Sequence, residues 1–306
     1  MLRSLFIGLS ESKRLRNFAE NSALGVRFSH RFVAGTQVED VLRATQVVNE
    51  WGASVSIDNL GENVTNAEES KHSAKLYHHL LDEISTRKLN ANVSLKLTHM
   101  GLDVSEDLAF RLVTEVVDHA VNINSFVRVD MEGSPYTQRT LDFVRQLHRL
   151  PGHGGKVGTV IQSYMLRSEQ DVNDLLSERI RIRLCKGAYK EPAEIAFPKK
   201  TDVDANYVKL AKTLLKSGVY HGLATHDERI IAEMKQFARA ENIPTSAYEF
   251  QMLYGVRRDL QQQLVREGYA LRVYIPFGTE WYPYFMRRLA ERPANVFFIA
   301  KQMFRQ

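Results

Sequence analysis

Two adjacent arginines near the end of the chain, Arg287 and Arg288, have a type and spacing suited to chemistry. They lie on a short aromatic-rich segment whose prolines, Pro283 and Pro293, suit the first turn and the end of a helix. Glu291 can share their face of that helix. Two fixed guanidinium groups beside aromatic rings suit a small planar anion such as a carboxylate. The alternative is a solvated basic helix with its aromatic rings packed beneath it.

Charged residues also alternate with apolar residues along several short β-rich runs. In residues 92–97, Lys96 lies on the face opposite Leu95 and Leu97, because successive side chains of a strand point to opposite faces. Buried charges are costly unless they are paired, and the positive and negative members of this set roughly balance. We therefore expect a charge-compensated interior. Its predicted members are Asp58, Lys96, Arg128, Asp130, Arg183, Glu249 and Arg272.

The elements that position these residues are eight predicted strands separated by predicted helices. The strands are 53–58, 92–97, 126–131, 157–162, 180–186, 221–225, 247–252 and 270–275. The helices are 66–88, 105–121, 137–149, 168–177, 204–217, 227–241 and 257–267. This alternation favours an α/β fold, a (β/α)8 barrel of residues 49–306, with residues 1–48 as an N-terminal helical segment packed on it. An antiparallel sheet with one solvated face would show the same polar alternation but not the helical spacers.

Five polar motifs end predicted strands, where barrels of this type build their active sites. They occupy residues 93–102, 127–132, 159–164, 183–189 and 224–227. Together with the arginine segment, they resemble the motifs of the proline dehydrogenase family, in the same order and with similar spacing from about residue 30 onward. The sequence Arg183-Leu-Cys-Lys-Gly-Ala-Tyr189 and the C-terminal segment are highly specific to that family. The resemblance implies a distorted TIM-type barrel that holds FAD at the carboxyl ends of its strands.

The same resemblance implies roles for individual side chains. Arg287 and Arg288 would bind the substrate carboxylate, with Glu291 holding them in place, Lys96 beside them and Tyr274 against the substrate ring. The implied catalytic residues are Asp130, which anchors the charged network, and Arg183, near the flavin N5 edge; the implied flavin contacts are Met131, Gln162, Arg183, Lys186, Gly187, Ala188, Thr225 and His226.

Each implied role has a physical reason. Proline offers little to grip except its carboxylate, so a bidentate clamp fixes the ring for hydride transfer. Cations such as Lys186 and Arg183 near the flavin can stabilise its reduced, negatively charged form. The residues alone leave other roles open, since Lys96 and Asp130 could be structural ion pairs and His226 a hydrogen-bonded strand-end histidine.

Composition argues against several other classes of function. The 306 residues carry a formal charge of +5 and a pI of about 9.2, with basic residues scattered among acidic ones, which is not typical of nucleic-acid-binding proteins. A mildly basic surface can still support transient peripheral contact with an anionic membrane. The single cysteine, Cys185, permits no internal disulfide, so we expect a reducing, cytoplasmic compartment. The residue spacings predict no metal site, no Rossmann fingerprint and no P-loop.

The resemblance therefore implies an FAD-dependent enzyme that oxidises L-proline to Δ1-pyrroline-5-carboxylate. It would pass the electrons to a quinone at the inner face of the cell membrane, and a pyrroline-5-carboxylate dehydrogenase would act on the product. Two alternatives stay open at this point. One is a barrel enzyme that uses the same cationic pocket for a carboxylate or phosphate substrate without flavin. The other is a non-catalytic protein that binds an amino acid or a flavin.

Overall fold

A closed barrel of eight parallel strands forms the centre of the computed structural model, which describes residues 31–291 and their side chains up to residue 286. Each strand pairs with the next strand in sequence, and the last pairs with the first. The predicted (β/α)8 barrel is thereby confirmed. The parallel ladder rules out the alternative of an antiparallel sheet with one solvated face.

The strands and helices alternate along the chain without interruption. The strands are β1 (Ser54–Asn59), β2 (Ala91–Leu95), β3 (Val127–Val129), β4 (Val157–Gln162), β5 (Arg181–Cys185), β6 (His221–Ala224), β7 (Tyr248–Leu253) and β8 (Leu271–Phe277). The helices are α1 (Val38–Glu50), α2 (Ala67–Thr86), α3 (Glu106–Asn122), α4 (Ser134–Arg149), α5 (Ser168–Ser177), α6 (Lys200–Lys216), α7 (Glu228–Ala240), α8 (Arg258–Arg266) and α9 (Trp281–Glu291), with a 3-10 turn at Thr245–Ala247. Within residues 31–291, none of these helices is long and apolar enough to cross a membrane.

Most predicted bounds differ from the observed ones by one or two residues. Two helices begin earlier than predicted. Helix α4 starts at Ser134, three residues before the predicted start at 137, because Pro135 has the backbone angle of a first helical turn. Helix α6 starts at Lys200, four residues before its predicted start at 204. Of the predicted N-terminal segment, α1 is described and packs against β1 and β8, whereas residues 1–30 lie outside the described residues.

The polar interior of the barrel divides into two layers. Asp58, Lys96 and Asp130 lie at or just beyond the carboxyl ends of their strands, as predicted for an active site. Glu249 and Arg272 instead occupy the second position of β7 and β8, so they lie towards the beginnings of the strands. We call these two sets the upper and the lower layer. Arg128 belongs to the lower layer, and the long side chain of Arg183 lies between the two.

Two interior glycines make room for these long polar side chains. A Cβ atom on Gly158 would lie 2.2 Å from the carbonyl oxygen of Arg181 and 2.9 Å from Nη1 of Arg128. A Cβ atom on Gly222 would lie 2.2 Å from the side-chain amide of Gln251. Real Cβ atoms do not approach other atoms so closely, so the interior can hold these side chains only because both positions lack one.

A buried histidine at the beginning of β6 gives the fold a predictable dependence on pH. Nδ1 of His221 accepts a hydrogen bond from the Ile182 backbone N–H at 2.9 Å. Burial, together with the nearby Arg128 and Arg181 guanidinium groups, lowers the pKa of His221 to about 3. In the unfolded chain the pKa of a histidine is about 6.5. Between pH 6.5 and pH 3, the unfolded state therefore binds a proton that the native state does not bind. The stability due to this histidine is therefore complete above about pH 6.5 and declines as the pH falls towards 3.

We expect the His221→Asn variant to lose less stability in acid than the wild type. Asparagine supplies an acceptor for the Ile182 N–H but takes up no proton. Between pH 7 and pH 5, the difference in unfolding free energy between the two proteins should change by about 2 kcal/mol in favour of the variant. Urea unfolding at both pH values measures this change. His79→Asn, at an exposed position, is the matched control. Parallel pH profiles for wild type and His221→Asn would contradict the assignment.

Candidate active site

The guanidinium group of Arg183 is the centre of a buried network inside the barrel. The residue is 6% exposed. Its Nη1 donates to Oδ1 of Asp130 at 2.8 Å, its Nε to Oε1 of Gln251 at 2.5 Å, and its Nη2 to Oγ of Ser56 at 3.1 Å. The contacted groups come from β1, from the end of β3 and from β7. Because Arg183 lies on β5, one planar side chain connects four alternate strands of the barrel.

Both carboxylate oxygens of Asp130 accept hydrogen bonds. Oδ1 accepts a hydrogen bond from Oγ of Ser94 at 2.7 Å as well as the one from Arg183. Oδ2 accepts from the hydroxyl of Tyr274 at 2.9 Å. Burial and the carboxylates of Asp130 and Asp58 raise the pKa of Tyr274 well above its usual value, so its hydroxyl remains a neutral donor. The network therefore fixes the Tyr274 ring, whose centroid lies 5.1 Å from Cζ of Arg183.

Lys96 and Asp58 form a second buried ion pair in the upper layer. Nζ of Lys96 lies 3.0 Å from Oδ2 of Asp58, and their side chains are 9% and 1% exposed. Burial alone would lower the pKa of Lys96, but the carboxylates of Asp58 and Asp130 outweigh it and raise that pKa. Lys96 is therefore a cation at neutral pH. Burial raises the pKa of Asp58 to about 6 against the opposing effect of Lys96.

Predicted flavin-binding residues lie at or just beyond the carboxyl ends of four consecutive strands, β3 to β6. The amide nitrogen of Gln162 donates to the backbone carbonyl of Glu132 at 3.0 Å. Nε2 of His226 accepts from the Leu253 N–H at 2.9 Å, which requires the proton of the neutral ring to be on Nδ1. Thr225 is buried just beyond β6, and Met131 is buried just beyond β3.

Lys186 makes contacts that its sequence position does not predict. Its Nζ lies 2.6 Å from Oδ1 of Asp204 on α6 and 3.2 Å from Oδ2 of Asp227, the N-cap residue of α7. Asp227 caps α7 through its Oδ1, which accepts a hydrogen bond from the Arg229 N–H. Two carboxylates thus offset the positive charge that we expected Lys186 to direct at a flavin.

The turn after Lys186 has a backbone conformation that excludes a side chain. Gly187 has φ of +108°, in the region that favours glycine, and a Cβ atom there would lie 2.2 Å from Cδ1 of Tyr164. Ala188 follows in the same turn and is partly exposed. The Tyr164 ring therefore packs directly on this glycine, and the pair fixes the course of the chain beyond β5.

The C-terminal arginines are described only as part of a helix backbone. Helix α9 includes positions 287 and 288, and Pro283 is its third residue, so the predicted helix and its first-turn proline are confirmed. The side chains of Arg287, Arg288 and Glu291 lie outside the described residues. Trp281 and other buried aromatic residues pack the start of this helix against Leu60 and the N-terminal side of α1.

Several residues of the network escaped the sequence prediction. Ser56 and Ser94 lie on the predicted inward faces of their strands, so the alternation of polar and apolar residues could have identified them. Gln251 shares its face of β7 with Glu249 and could have been found in the same way. Nothing in the local sequence indicates Asp204, because its contact with Lys186 depends on how α6 packs on the barrel.

Comparisons with known proteins agree with this geometry. The family model described as proline dehydrogenase matches residues 41–301. Proline dehydrogenase 1 of Bacillus subtilis (strain 168) is 42% identical over 302 residues, which are 98% of this chain and 98% of that protein. Proline dehydrogenase of Deinococcus radiodurans is 41% identical over 280 residues, covering 90% and 89% of the two chains. A solved structure of proline utilization A (PutA) from Bdellovibrio bacteriovorus, inactivated by N-propargylglycine, superposes with a TM-score of 0.82 at 26% identity, covering 87% of this chain and 33% of that one.

Proposed function

This chain belongs to the proline dehydrogenase family, and from that premise we propose that it oxidises L-proline to Δ1-pyrroline-5-carboxylate, the first step of proline breakdown to glutamate. The observation that carries the proposal is the upper layer itself. Its network joins Asp130, Arg183 and Tyr274, and Lys96 lies in the same layer as Asp130; these are the predicted catalytic and substrate-binding residues whose side chains are described. A rigid, charged pocket suits a small zwitterionic substrate that must be oriented more than it must be chemically activated.

The chemistry of the strand-end donors fits FAD as the cofactor. An amide, a hydroxyl and an imidazole N–H suit the polar edge of a flavin ring, and the turn at Gly187 allows close approach of the backbone. The residues that would hold the cofactor are Met131, Gln162, Arg183, Lys186, Gly187, Ala188, Thr225 and His226. FAD, when bound, accepts the hydride that leaves the substrate ring and delivers the two electrons to a quinone.

The protein's own side chains then have three tasks. Arg287 and Arg288 hold the substrate carboxylate, and Lys96 adds positive charge at the same end of the barrel. Tyr274 is held by Asp130 as a fixed wall for the substrate ring. The network around Arg183 keeps these groups in register, so that the ring carbon that loses the hydride always faces the cofactor.

An anaerobic visible absorbance spectrum, recorded before and after addition of L-proline, tests this proposal. We expect a flavin spectrum that bleaches with L-proline and not with L-alanine, which lacks the ring. A flavin spectrum unchanged by proline would instead assign the site to another amine. A colourless protein that cannot be loaded with FAD would favour a barrel enzyme that works without flavin.

The Gly187→Ala variant should bind FAD more weakly than the wild type. Alanine at φ of +108° is strained, and its Cβ must displace the Tyr164 ring, which together cost roughly 1–3 kcal/mol. If the turn contacts the cofactor, the FAD dissociation constant rises by about 5- to 150-fold. A fluorescence titration of the apoprotein with FAD measures it. Gly154→Ala, where a Cβ would meet no atom within 4 Å, is the matched control, and equal FAD affinities for both variants would remove Gly187 from the cofactor site.

We also propose a cellular setting from the chemistry of the reaction. A quinone acceptor lies in a membrane, so the enzyme would work in the cytoplasm with transient peripheral contact at the inner face, helped by its formal charge of +5. The product suits a pyrroline-5-carboxylate dehydrogenase as the next enzyme. One relative, of Klebsiella aerogenes, is named bifunctional protein PutA, and 24% of its length aligns with this chain at 26% identity. Flotation with anionic vesicles, with and without a quinone, tests the membrane contact.

A further inference from the structure

The lower layer of the barrel interior encloses a polar cavity of about 60 Å³. Four arginines line it, Arg128, Arg181, Arg183 and Arg272, whereas Glu249 is the one carboxylate lining it within the described part of the chain. A single buried water needs roughly 10–15 Å³ measured in this way, so the cavity has room for more than one water-sized particle. Its lining is therefore strongly positive and its size suits a small guest.

Only two of the four guanidinium groups have a carboxylate partner. Arg183 is paired with Asp130 in the upper layer, and Nε of Arg272 lies 2.8 Å from Oε1 of Glu249. Arg128 and Arg181 contact no carboxylate in residues 31–286. Burying unpaired cations side by side is costly, so this arrangement calls for a further negative charge.

Arg128 carries the clearest sign of a missing partner. It is 2% exposed, and its Nη1 donates to the backbone carbonyls of Thr159 and Arg181 at 2.8 and 2.7 Å. Its Nε–H has no acceptor among the residues that the structure describes. Burial and the charges of Arg183 and Arg181 lower the pKa of Arg128 well below its usual value. A guanidinium group rarely releases its proton in a protein, so a nearby anion is the chemically simpler remedy.

Arg181 has a backbone carbonyl and two aromatic rings as partners, and it shares the Phe126 ring with Arg128, whose Cζ lies 4.7 Å from that ring centroid. Its Nε donates to the Tyr220 carbonyl at 3.3 Å, and its Cζ lies 4.2 Å from the Phe126 ring centroid and 4.9 Å from that of Tyr220. Ring faces attract a cation but carry no net charge. Arg181 is also partly exposed, which opens the cavity towards solvent at the beginnings of the strands, away from the substrate end.

We propose that this lower cavity is a binding site for a small monovalent inorganic anion of about the size of chloride, held between the guanidinium groups of Arg128, Arg181 and Arg272. The site lies in the barrel below the substrate pocket and is reached from the opposite end. Gly158 helps to place the Arg128 guanidinium group, because a Cβ atom there would lie 2.9 Å from Nη1 of Arg128 and 2.2 Å from the Arg181 carbonyl oxygen to which that nitrogen donates. The anion brings the local charge closer to neutrality without entering the reaction.

Bromide diffraction tests the site directly, because bromide resembles chloride and scatters anomalously. Crystals of the wild-type protein soaked in sodium bromide should show an anomalous peak inside this cavity, between the guanidinium groups of Arg128, Arg181 and Arg272. The same cavity with ordered water and no anomalous signal would overturn the proposal. A peak that appears elsewhere on the surface but not in this cavity has the same consequence.

Thermal unfolding gives an independent test in solution. At constant ionic strength, replacing gluconate, which is too large for the cavity, with chloride should raise the melting temperature by about 2–3 °C for each tenfold rise in chloride above its dissociation constant. The Arg128→Met variant should lose this dependence. Arg139→Met, which removes an arginine paired with Asp103 and Glu106 on the helical surface, is the matched control and should keep it.

The outcome can be decided even if Arg128→Met does not fold, because Arg181→Met removes the more exposed of the two unpaired cations and should weaken the same dependence. Equal melting temperatures of the wild-type protein in chloride and in gluconate would overturn the proposal. So would a chloride dependence that persists unchanged in a folded Arg128→Met or Arg181→Met variant, since the anion would then be bound elsewhere.

Discussion

Replacing Arg183 with methionine is expected to abolish almost all proline oxidation and to lower the unfolding free energy by about 3–5 kcal/mol. The variant leaves the Asp130 carboxylate buried without its cation, and it leaves Ser56 and Gln251 without their donor. The pocket then loses the group that keeps Asp130 and Tyr274 in position. A misplaced reacting group is costly in catalysis, so we expect kcat to fall by about a hundredfold or more.

Two further variants separate a structural role of Arg183 from a catalytic one. Arg183→Lys keeps the charge next to Asp130 but loses the planar fork, so its stability should be intermediate while kcat stays low. The double variant Arg183→Met with Asp130→Asn removes both charges, so it should regain at least part of the lost stability. Urea unfolding and steady-state kinetics measure the two effects separately. Recovery of turnover together with stability in the double variant would show that the pair is only structural.

The sequence predicts the upper layer better than the lower one, and the reason is geometric. Alternation along a strand correctly places Arg128 and Asp130 on the same face of the chain around β3. Their order along the chain also places Asp130 nearer the carboxyl end than Arg128, but it does not predict which side chains of other strands share a layer with each of them, since that depends on the stagger between strands. The choice of partner is likewise non-local, because Asp130 meets Arg183 across the barrel, from the end of β3 to β5.

The start of a helix, and the contacts that its side chains make with the barrel, are also hard to predict where local sequence signals are weak. Local signals place α5 and β4 at their observed bounds, residues 168–177 and 157–162. They fail at α6, whose first turn has no side-chain cap and a basic start that gives little indication of where the helix begins. Because Asp204 lies in the second turn of that helix, its contact with Lys186 follows from the packing of α6 on the barrel and cannot be deduced from either segment alone.

The charges of the substrate end limit what can hold a substrate carboxylate. Its three described cations, Lys96, Arg183 and Lys186, each contact at least one carboxylate. The carboxylates that they contact are Asp58, Asp130, Asp204 and Asp227, and the last two also pair with Lys200 and Arg229. These cations are therefore already paired, so we expect further cations to bind an additional anion from the substrate. Helix α9 carries arginines at positions 287 and 288, and we predict that these are the further cations.

Replacing Arg287 or Arg288 with alanine is accordingly expected to remove roughly 2–4 kcal/mol of binding free energy for the proline carboxylate. This loss corresponds to a rise in the KM for proline of about 30- to 700-fold. FAD should stay bound, because the predicted cofactor contacts lie at the ends of β3 to β6 and not on α9. Arg266→Ala, which removes an exposed arginine at the end of α8, is the matched control and should leave KM unchanged.

Pyrrolidine, the proline ring without its carboxylate, distinguishes a clamp from general damage to the pocket. The wild-type enzyme should strongly prefer proline to pyrrolidine in kcat/KM, because only proline engages the two guanidinium groups. If the clamp is correct, each arginine variant loses this preference by losing activity on proline while its activity on pyrrolidine changes little. Equal losses on both substrates would mean that α9 only supports the pocket. The cations that attract the carboxylate would then have to be Lys96 and Arg183. Because both are already paired with carboxylates, one of these ion pairs would have to open when proline binds.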